Sequence, residues 1–192
     1  NKRALRKKLG WQLDRMIVLL IGGGEGMGPI AHTADAINAS GLDLGLVIIA
    51  GRNSSLQAKL EKRDWNIPTH IYGFTRDLPD FMRAADAVIT KAGPGTIAEA
   101  LIAGLPIILN AHLPGQEDGN VTFVQKEGVG VWAPRSDRVV RTLEKWLKNP
   151  EEREHFAANC LAAARPESAR LVARFIGSQV GLCPAPEVGE KN

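Results

Sequence analysis

Short apolar runs alternate with amphipathic stretches along most of the chain. Each run is bounded by glycine, proline or polar residues, a pattern typical of strands buried on both faces of a parallel sheet. The runs predict strands at 16–21, 44–50, 69–72, 87–90, 107–109 and 129–132.

The stretches between these runs have the period expected of helices. They predict a helix that follows Pro29 and ends near Ser40, and further helices at 54–63, 77–84, 95–103 and about 117–126. From Ser136 onwards the pattern is wholly helical, with breaks at Asn149-Pro150 and Arg165-Pro166, because proline cannot continue a helix. The alternation predicts an α/β fold, a parallel sheet with helices on both faces, followed by a helical C-terminal segment.

Composition limits what the chain can be. Its 192 residues are 44% hydrophobic, enough for one sizeable core. We divide them into a basic linker or helix (1–15), one domain (16–182) and a disordered tail (183–192). The net charge of +3 does not by itself argue for nucleic acid. Basic residues crowd the first segment, where they either meet an anionic membrane or solvate a surface helix: Lys2, Arg3, Arg6, Lys7, Lys8 and Arg15.

Cysteine and histidine positions predict neither a disulfide nor a metal site. Cys160 lies in a helical pattern and Cys183 in the tail, so we expect no structural disulfide. The histidines lack the spacing of metal ligands: His32, His70, His112 and His155. No apolar run approaches the roughly 20 residues of a membrane span, so we expect a soluble or peripheral protein. Because the first residue is Asn1, we expect an excised or processed chain.

The most informative motif follows the fourth predicted strand, at Lys91-Ala92-Gly93-Pro94-Gly95-Thr96. A Gly-rich turn before a helix leaves backbone N–H groups free, which suits an anion. Thr96 and Glu99 have the spacing of a capping box. We expect Thr96 to cap the helix, and Glu99 either to reach back to the cap or to stay free for a sugar hydroxyl. With the polar cluster at 114–120 downstream, this turn suggests a nucleotide-sugar as ligand.

A second Gly-rich loop, 22–28, follows the first predicted strand and lacks the spacing of the dinucleotide fingerprint. Neither loop has the Walker A spacing, which disfavours ATP hydrolysis. Arg52 ends the second strand, where a nicotinamide enzyme usually carries an acid. Since Arg52 could accept a 2′-phosphate, an NADP-binding oxidoreductase is an alternative. The loop's backbone can approach a bound group closely because several residues carry no Cβ: Gly22, Gly23, Gly24, Gly26 and Gly28.

Each motif also has a purely structural explanation, which the residues leave open. The loop at 22–28 could be only a tight turn, and Lys91 could be a solvated charge at a strand end. The cluster at 116–120 could be an ordinary helix start. Phe74 is better explained by packing in the core or a loop than by base stacking, although its backbone could still face a base. No segment offers a general base with an orienting partner.

Taken in order, the motifs resemble the C-terminal, donor-binding domain of the monogalactosyldiacylglycerol synthases. The wider family includes bacterial diacylglycerol glucosyltransferases and the N-acetylglucosaminyltransferase that acts on the peptidoglycan lipid precursor. The resemblance implies a Rossmann-like domain that forms the C-terminal half of a GT-B glycosyltransferase. It runs from about Leu5 to Val180 and rests on 22–28, 51–53, 91–100, 104–110 and 115–120.

The resemblance implies an inverting transfer of a hexose from a uridine diphosphate (UDP) sugar, UDP-galactose being favoured, to the hydroxyl of 1,2-diacylglycerol. It implies no cofactor and no metal. The turn at 93–96 then matches the diphosphate site, Glu99 the ribose carboxylate, and the loop at 22–28 faces the cleft. The full predicted donor site is Gly22, Gly23, Gly24, Gly26, Met27, Gly28, Arg52, Phe74 and Thr75 (the uracil segment), Lys91, Gly93, Pro94, Gly95, Thr96, Glu99, and Gln116, Glu117 and Asn120 around the sugar.

The same resemblance implies that the catalytic base, a His, and the acceptor surface lie in an N-terminal domain with no counterpart in this sequence. We therefore expect no catalytic residue here, and donor binding without turnover. The implied partners are the UDP-sugar, diacylglycerol through the other domain and an anionic membrane surface, with no nucleic acid. The implied location is peripheral, at the cytoplasmic face of a bacterial inner membrane or at a plastid envelope. A non-catalytic module that senses UDP-sugars is a further alternative.

Overall fold

In the computed structural model, which describes residues 1–26 and 28–182, six parallel strands form one sheet. The strand order is β3-β2-β1-β4-β5-β6, and each neighbouring pair is parallel. The direction in which strands are added therefore reverses between β1 and β4. In such doubly wound sheets the crevice for ligands opens at the carboxyl ends of these two strands. The strands are β1 (Met16–Ile21), β2 (Leu44–Ile49), β3 (Thr69–Tyr72), β4 (Ala87–Lys91), β5 (Ile107–Ala111) and β6 (Gly130–Trp132).

Helices cover both faces of the sheet. One face carries α1 (Lys2–Leu9), α4 (Leu78–Ala84), α5 (Pro94–Ala103), α6 (Asp118–Lys126) and α8 (Pro150–Ala163). The other carries α2 (Ile30–Asn38), α3 (Ser54–Glu61) and α7 (Ser136–Lys148). The last described helix, α9 (Ser168–Gln179), contributes no buried residue.

Two apolar layers, one on each side of the sheet, form the core. Every residue of β1 and of β2 is buried, because both faces of these central strands are covered. Neighbouring residues point to opposite layers, so Ile17 and Leu19 pack in one and Val18 and Leu20 in the other. The predicted parallel sheet with helices on both faces is confirmed.

Element boundaries differ from the predicted ones by only a few residues. β1 and β3 have the predicted bounds, whereas β5 continues past Leu109 to Ala111. No helix in the described ranges combines the length and apolarity needed to cross a membrane. The tail predicted to be disordered, 183–192, lies outside the described residues.

The basic N-terminal segment is attached to the domain through two buried side chains, the apolar Trp11 and the charged Arg6. The Arg6 side chain is only 6% exposed and donates to Asp86 Oδ2 at 2.5 Å and to the Ala84 carbonyl at 2.8 Å. Arg6 is therefore available neither to a membrane nor to solvent, whereas Arg3, Lys7 and Lys8 on the same helix are exposed.

Candidate functional site

A cleft of about 250 Å³ lies at the carboxyl ends of β1 and β4. A larger open groove, of about 780 Å³, lies between α2 and α7, away from these strand ends. We place the site in the smaller cleft because ligands of doubly wound sheets bind where the strand order reverses. The cleft brings together seven of the predicted residues, which follow three different strands, β1, β3 and β4: Gly23, Gly24, Phe74, Thr75, Gly95, Thr96 and Glu99.

The turn after β4 presents the free end of α5 to this cleft. Gly93 is the N-cap residue and Pro94 the first helical residue, a position that proline favours because it has no N–H to satisfy. The N–H groups of Gly95 and Thr96 then belong to the first turn and have no acceptor within the helix. A Cβ added to Gly95 would meet nothing within 4 Å, so the space above this turn is open. The turn is thus built to receive an anion.

The predicted capping box is wrong. Because α5 begins at Pro94, Thr96 is the third helical residue, and no side chain caps the helix. The cause is the proline, which starts the helix two residues before Thr96. Neither Thr96 nor Glu99 makes a side-chain hydrogen bond within the described part of the chain, so both side chains remain available at the cleft.

Glu99 stands at the wall of the cleft, one helical turn beyond Gly95. Burial raises the pKa of its carboxyl above the ordinary value. A carboxylate that is partly desolvated and unpaired gains from any hydroxyl that donates to it.

The Gly-rich loop after β1 packs tightly against the end of β2. Gly26 has φ +61°, and a Cβ there would run into the Ala50 carbonyl oxygen. Gly51 has φ +61°, and a Cβ there would lie 2.5 Å from the Gly24 carbonyl oxygen. Both positions therefore require glycine. Gly23 and Gly24 line the cleft with backbone, so the tight-turn explanation and the ligand explanation both apply.

The other loop residues contribute less to the cleft. Gly22 is buried behind the lining and Gly28 is exposed beyond it. Met27 lies outside the described residues.

A stacked pair stands at the mouth of the cleft. Arg52 Cζ lies 4.7 Å from the centroid of the Phe74 ring, and Arg52 Nη1 donates to Glu25 Oε1 at 2.7 Å. Phe74 is 58% exposed, so of the two predicted positions, core or loop packing, the core is wrong and the contact with Arg52 is packing within the loops. The reason is that the chain at 73–75 leaves β3 and runs along the cleft. Arg52 thus links the β1 loop to the uracil segment predicted at Phe74 and Thr75.

The predicted sugar residues lie beside the cleft and do not line it. Glu117 is buried, with 2% of its surface exposed, and accepts from Lys91 Nζ and from the Leu113 N–H at 2.9 Å. Burial alone would raise its pKa, but the hydrogen bonds from Lys91 and Leu113 and the Lys91 charge hold the pKa of Glu117 below its ordinary value. Asn120 Nδ2 donates to the Ala92 carbonyl at 2.8 Å, while Gln116 is exposed.

Two pairs near the strand ends were missed from the sequence. Glu25 was not predicted as a partner of Arg52, and His112 Nε2 lies 3.0 Å from Asp118 Oδ1. No segment was expected to offer a general base with an orienting partner, and this pair gives His112 a carboxylate partner, although His112 is not among the residues that line the cleft. The sequence signal that could have revealed the His112–Asp118 pair was the cluster of polar residues at 112–118. Among the described residues, no three His, Cys, Asp or Glu side chains are grouped to hold a metal ion.

The strand order and the glycine turns at the reversal point define an α/β domain of the Rossmann type. Residues 17–173 match the glycosyltransferase family 28 C-terminal domain. The chain belongs to this family.

Monogalactosyldiacylglycerol synthase 3 of Arabidopsis thaliana is 44% identical to the chain over 176 residues, which cover 88% of the chain and 38% of the plant protein. The chain thus spans well under half the length of such relatives. The structure of MurG from Acinetobacter baumannii superposes with a TM-score of 0.69 at 21% identity, covering 92% of the chain and 53% of that protein. HepE from Anabaena, solved in complex with UDP-glucose, has a TM-score of 0.64 at 18% identity, and the match covers 84% of the chain and 46% of HepE. The fold is that of the C-terminal domain of GT-B glycosyltransferases.

Proposed function

We propose that this chain is the donor-binding domain of a glycosyltransferase that takes a UDP-hexose, UDP-galactose first among the candidates, and transfers the hexose with inversion to the hydroxyl of 1,2-diacylglycerol. One observation carries the proposal: the open first turn of α5 and the Glu99 carboxylate, which has no hydrogen-bond partner among the described residues, face the same cleft as Gly23 and Gly24. An anion cradle and a hydroxyl acceptor on one helix, one turn apart, suit a diphosphate joined to a ribose. The similarity to a plant monogalactosyldiacylglycerol synthase supports the choice of hexose and acceptor.

In this proposal the domain contributes to catalysis by stabilising the leaving group. As the bond to the hexose breaks, negative charge grows on the departing diphosphate. The N-terminal end of α5 carries partial positive charge, and its fixed N–H groups need no reorganisation to meet that charge. Phe74 and Thr75 would hold the uracil through their backbone, and Gln116 with Glu117 and Asn120 would hold the hexose.

The remaining parts of the reaction are assigned to the rest of the protein. We place the catalytic base and the acceptor surface in another domain, as the resemblance to the monogalactosyldiacylglycerol synthases implies, and the chain covers 38% of one such relative. The enzyme would work as a peripheral protein at a membrane, a plastid envelope or the cytoplasmic face of a bacterial inner membrane, where diacylglycerol is present.

Calorimetric titration of the chain with UDP-galactose, UDP-glucose and UDP-N-acetylglucosamine tests the donor class and the sugar preference together. We expect all three to bind through UDP and the galactose donor to bind best. Titration with NADPH tests the oxidoreductase alternative, and binding of NADPH without binding of UDP would replace our proposal. The full-length gene product, assayed for glycolipid formation from diacylglycerol, separates a transferase from a module that only senses UDP-sugars.

Replacing Gln116 by alanine should weaken binding of the intact UDP-hexose and spare binding of free UDP. The side chain is exposed beside the cleft, and losing one neutral hydrogen bond costs roughly 0.5–1.5 kcal/mol. Paired titrations with UDP-galactose and UDP measure the difference. Equal losses for both ligands would contradict a contact with the sugar.

Adding a chelator such as EDTA should leave UDP-galactose affinity unaltered. In our proposal the α5 terminus and cationic side chains neutralise the diphosphate, so binding requires no divalent ion. Titrations with EDTA and with added Mg²⁺ provide the comparison. A strict need for Mg²⁺ would point to a different transferase architecture.

A further inference from the structure

The Lys91 side chain lies between the two glycine turns, next to Gly23 of the cleft wall, although Lys91 is not among the residues that line the cleft. Its Nζ lies 3.3 Å from the position that a Cβ on Gly93 would take, and its Cε lies 3.7 Å from the corresponding position on Gly23. The pairing register of β4 with β5 shifts between Thr90 and Lys91. Such an irregularity re-aims the side chain that follows it. The ammonium group is thereby held over the N-cap residue of α5.

The partner of Lys91 is anchored more firmly than Lys91 itself. The Glu117 side chain is 3% exposed and that of Lys91 21% exposed. One carboxylate oxygen of Glu117 accepts from Lys91 and the other from the Leu113 N–H. Glu117 is therefore fixed by the backbone before α6, and Lys91 is fixed by Glu117.

A gain in the stability of the fold is a poor explanation for the presence of this ion pair. Taking two charges out of water costs as much as their attraction returns, so a buried pair is often no better than two apolar residues. An ammonium group also has three N–H donors, and Glu117 is the one partner that the described residues offer it. The remaining donors are free at the place where the two glycine turns meet.

We infer that Lys91 is a ligand of the donor's diphosphate and that Glu117 is the residue that positions it. The inference rests on the proposed function, since it assigns roles within the same site. The cation would add charge-assisted hydrogen bonds to those of the α5 N–H groups, at the oxygens where charge grows as the hexose leaves. Glu117 can do this and still accept from a sugar hydroxyl, because a carboxylate has about four acceptor positions and two are in use.

The test compares ligands that differ only in phosphate. Four proteins are compared: the wild-type chain, Lys91→Met, Lys91→Arg and Glu117→Gln. Uridine binding is measured by ligand-observed NMR, and UDP binding by calorimetry. Lys91→Met should weaken UDP binding about tenfold or more, the scale of a hydrogen bond to a charged group. The uridine affinity of the Lys91→Met variant should not change. Lys91→Arg keeps the cation and should recover most of the UDP affinity.

Glu117→Gln should also weaken UDP binding and leave uridine binding unchanged, since the ammonium group loses its charged anchor. The double variant Lys91→Met/Glu117→Gln removes both charges, so it does not leave one buried and unpaired. It should bind UDP no worse than Lys91→Met alone, because Glu117 acts through Lys91. Lys126→Met, an exposed lysine on α6, is the matched control for the lost charge and should bind UDP normally.

Three results separate the inference from the proposed function. If wild type binds UDP, and Lys91→Met or the double variant binds it equally well, the role of Lys91 is overturned while the proposed function stands. If UDP and uridine affinities fall together in Lys91→Met, the pair has only a structural role. If wild type does not bind UDP at all, the proposed function itself fails.

Discussion

Replacing Glu99 by alanine should weaken UDP binding by about 1–3 kcal/mol, the scale for losing hydrogen bonds to a charged group. The carboxylate lines the cleft and has no hydrogen-bond partner among the described residues. The ribose is the part of UDP that carries adjacent hydroxyls, which can donate to both carboxylate oxygens. Calorimetric titration of UDP into wild type and Glu99→Ala gives the difference directly.

Two controls make the Glu99 result specific. Glu154→Ala removes an exposed carboxylate on α8, away from the cleft, and should leave the affinity unchanged. Titrations at several pH values add a second readout. Because burial raises the pKa of Glu99, and hydroxyl donors favour its ionised form, UDP affinity should begin to fall on acidification at a higher pH than an ordinary glutamate would give. Unchanged affinity in Glu99→Ala would remove the ribose role.

Replacing Asp86 by alanine should destabilise the chain by about 3–5 kcal/mol, the usual cost of breaking a buried ion pair. Asp86 accepts from Arg6 at 2.5 Å, from Lys2 at 2.9 Å and from the Ile17 N–H at 2.7 Å. Its loss leaves the Arg6 guanidinium buried without a carboxylate and leaves the Ile17 N–H of β1 without its acceptor. Denaturant unfolding followed by circular dichroism measures the free energy of unfolding.

The pH dependence of unfolding gives an independent check on Asp86. Burial raises its pKa, but Lys2, the Ile17 N–H and Arg6 outweigh burial and hold the pKa of Asp86 below its ordinary value. A carboxyl with a lowered pKa in the folded state stabilises the fold above its unfolded pKa and loses that contribution as pH falls through the folded value. Wild type should therefore lose stability on acidification more steeply than Asp86→Ala. Asp43→Ala, which breaks an exposed pair with Arg15, should change little. An equal loss in both variants would contradict the role of α1 as an anchored part of the domain.

The fold could be predicted because its information is local. β1 and β2 are continuous apolar runs, and a run of that kind needs cover on both faces. The glycine turns could be predicted for a similar reason, since at Gly26 and Gly51 any Cβ would clash with backbone atoms. The capping-box prediction at Thr96 also failed for a local reason. Two helix-start signals overlap within four residues, and the helix begins at the proline and not at the threonine.

The side-chain pairs of the site and of the N-terminal segment could not be predicted in the same way. Lys91 and Glu117 are 26 residues apart, Arg52 and Glu25 are 27 apart, and Arg6 and Asp86 are 80 apart. Each pair depends on which strands are neighbours and on the register between them. Phe74 is a related case, since its 58% exposure follows from the path of the chain after β3 and not from its apolar side chain.

The sequence alone determined the class of fold, the order of the elements and the two glycine turns, because periodicity, turn residues and apolar runs act over a few neighbouring residues. The tertiary structure alone decided which charges meet at the cleft. Strand order and the register shift after Thr90 bring Lys91 over the start of α5 and against the buried Glu117. Periodicity along a single strand does not encode its neighbours, so this arrangement exists only once the sheet has assembled.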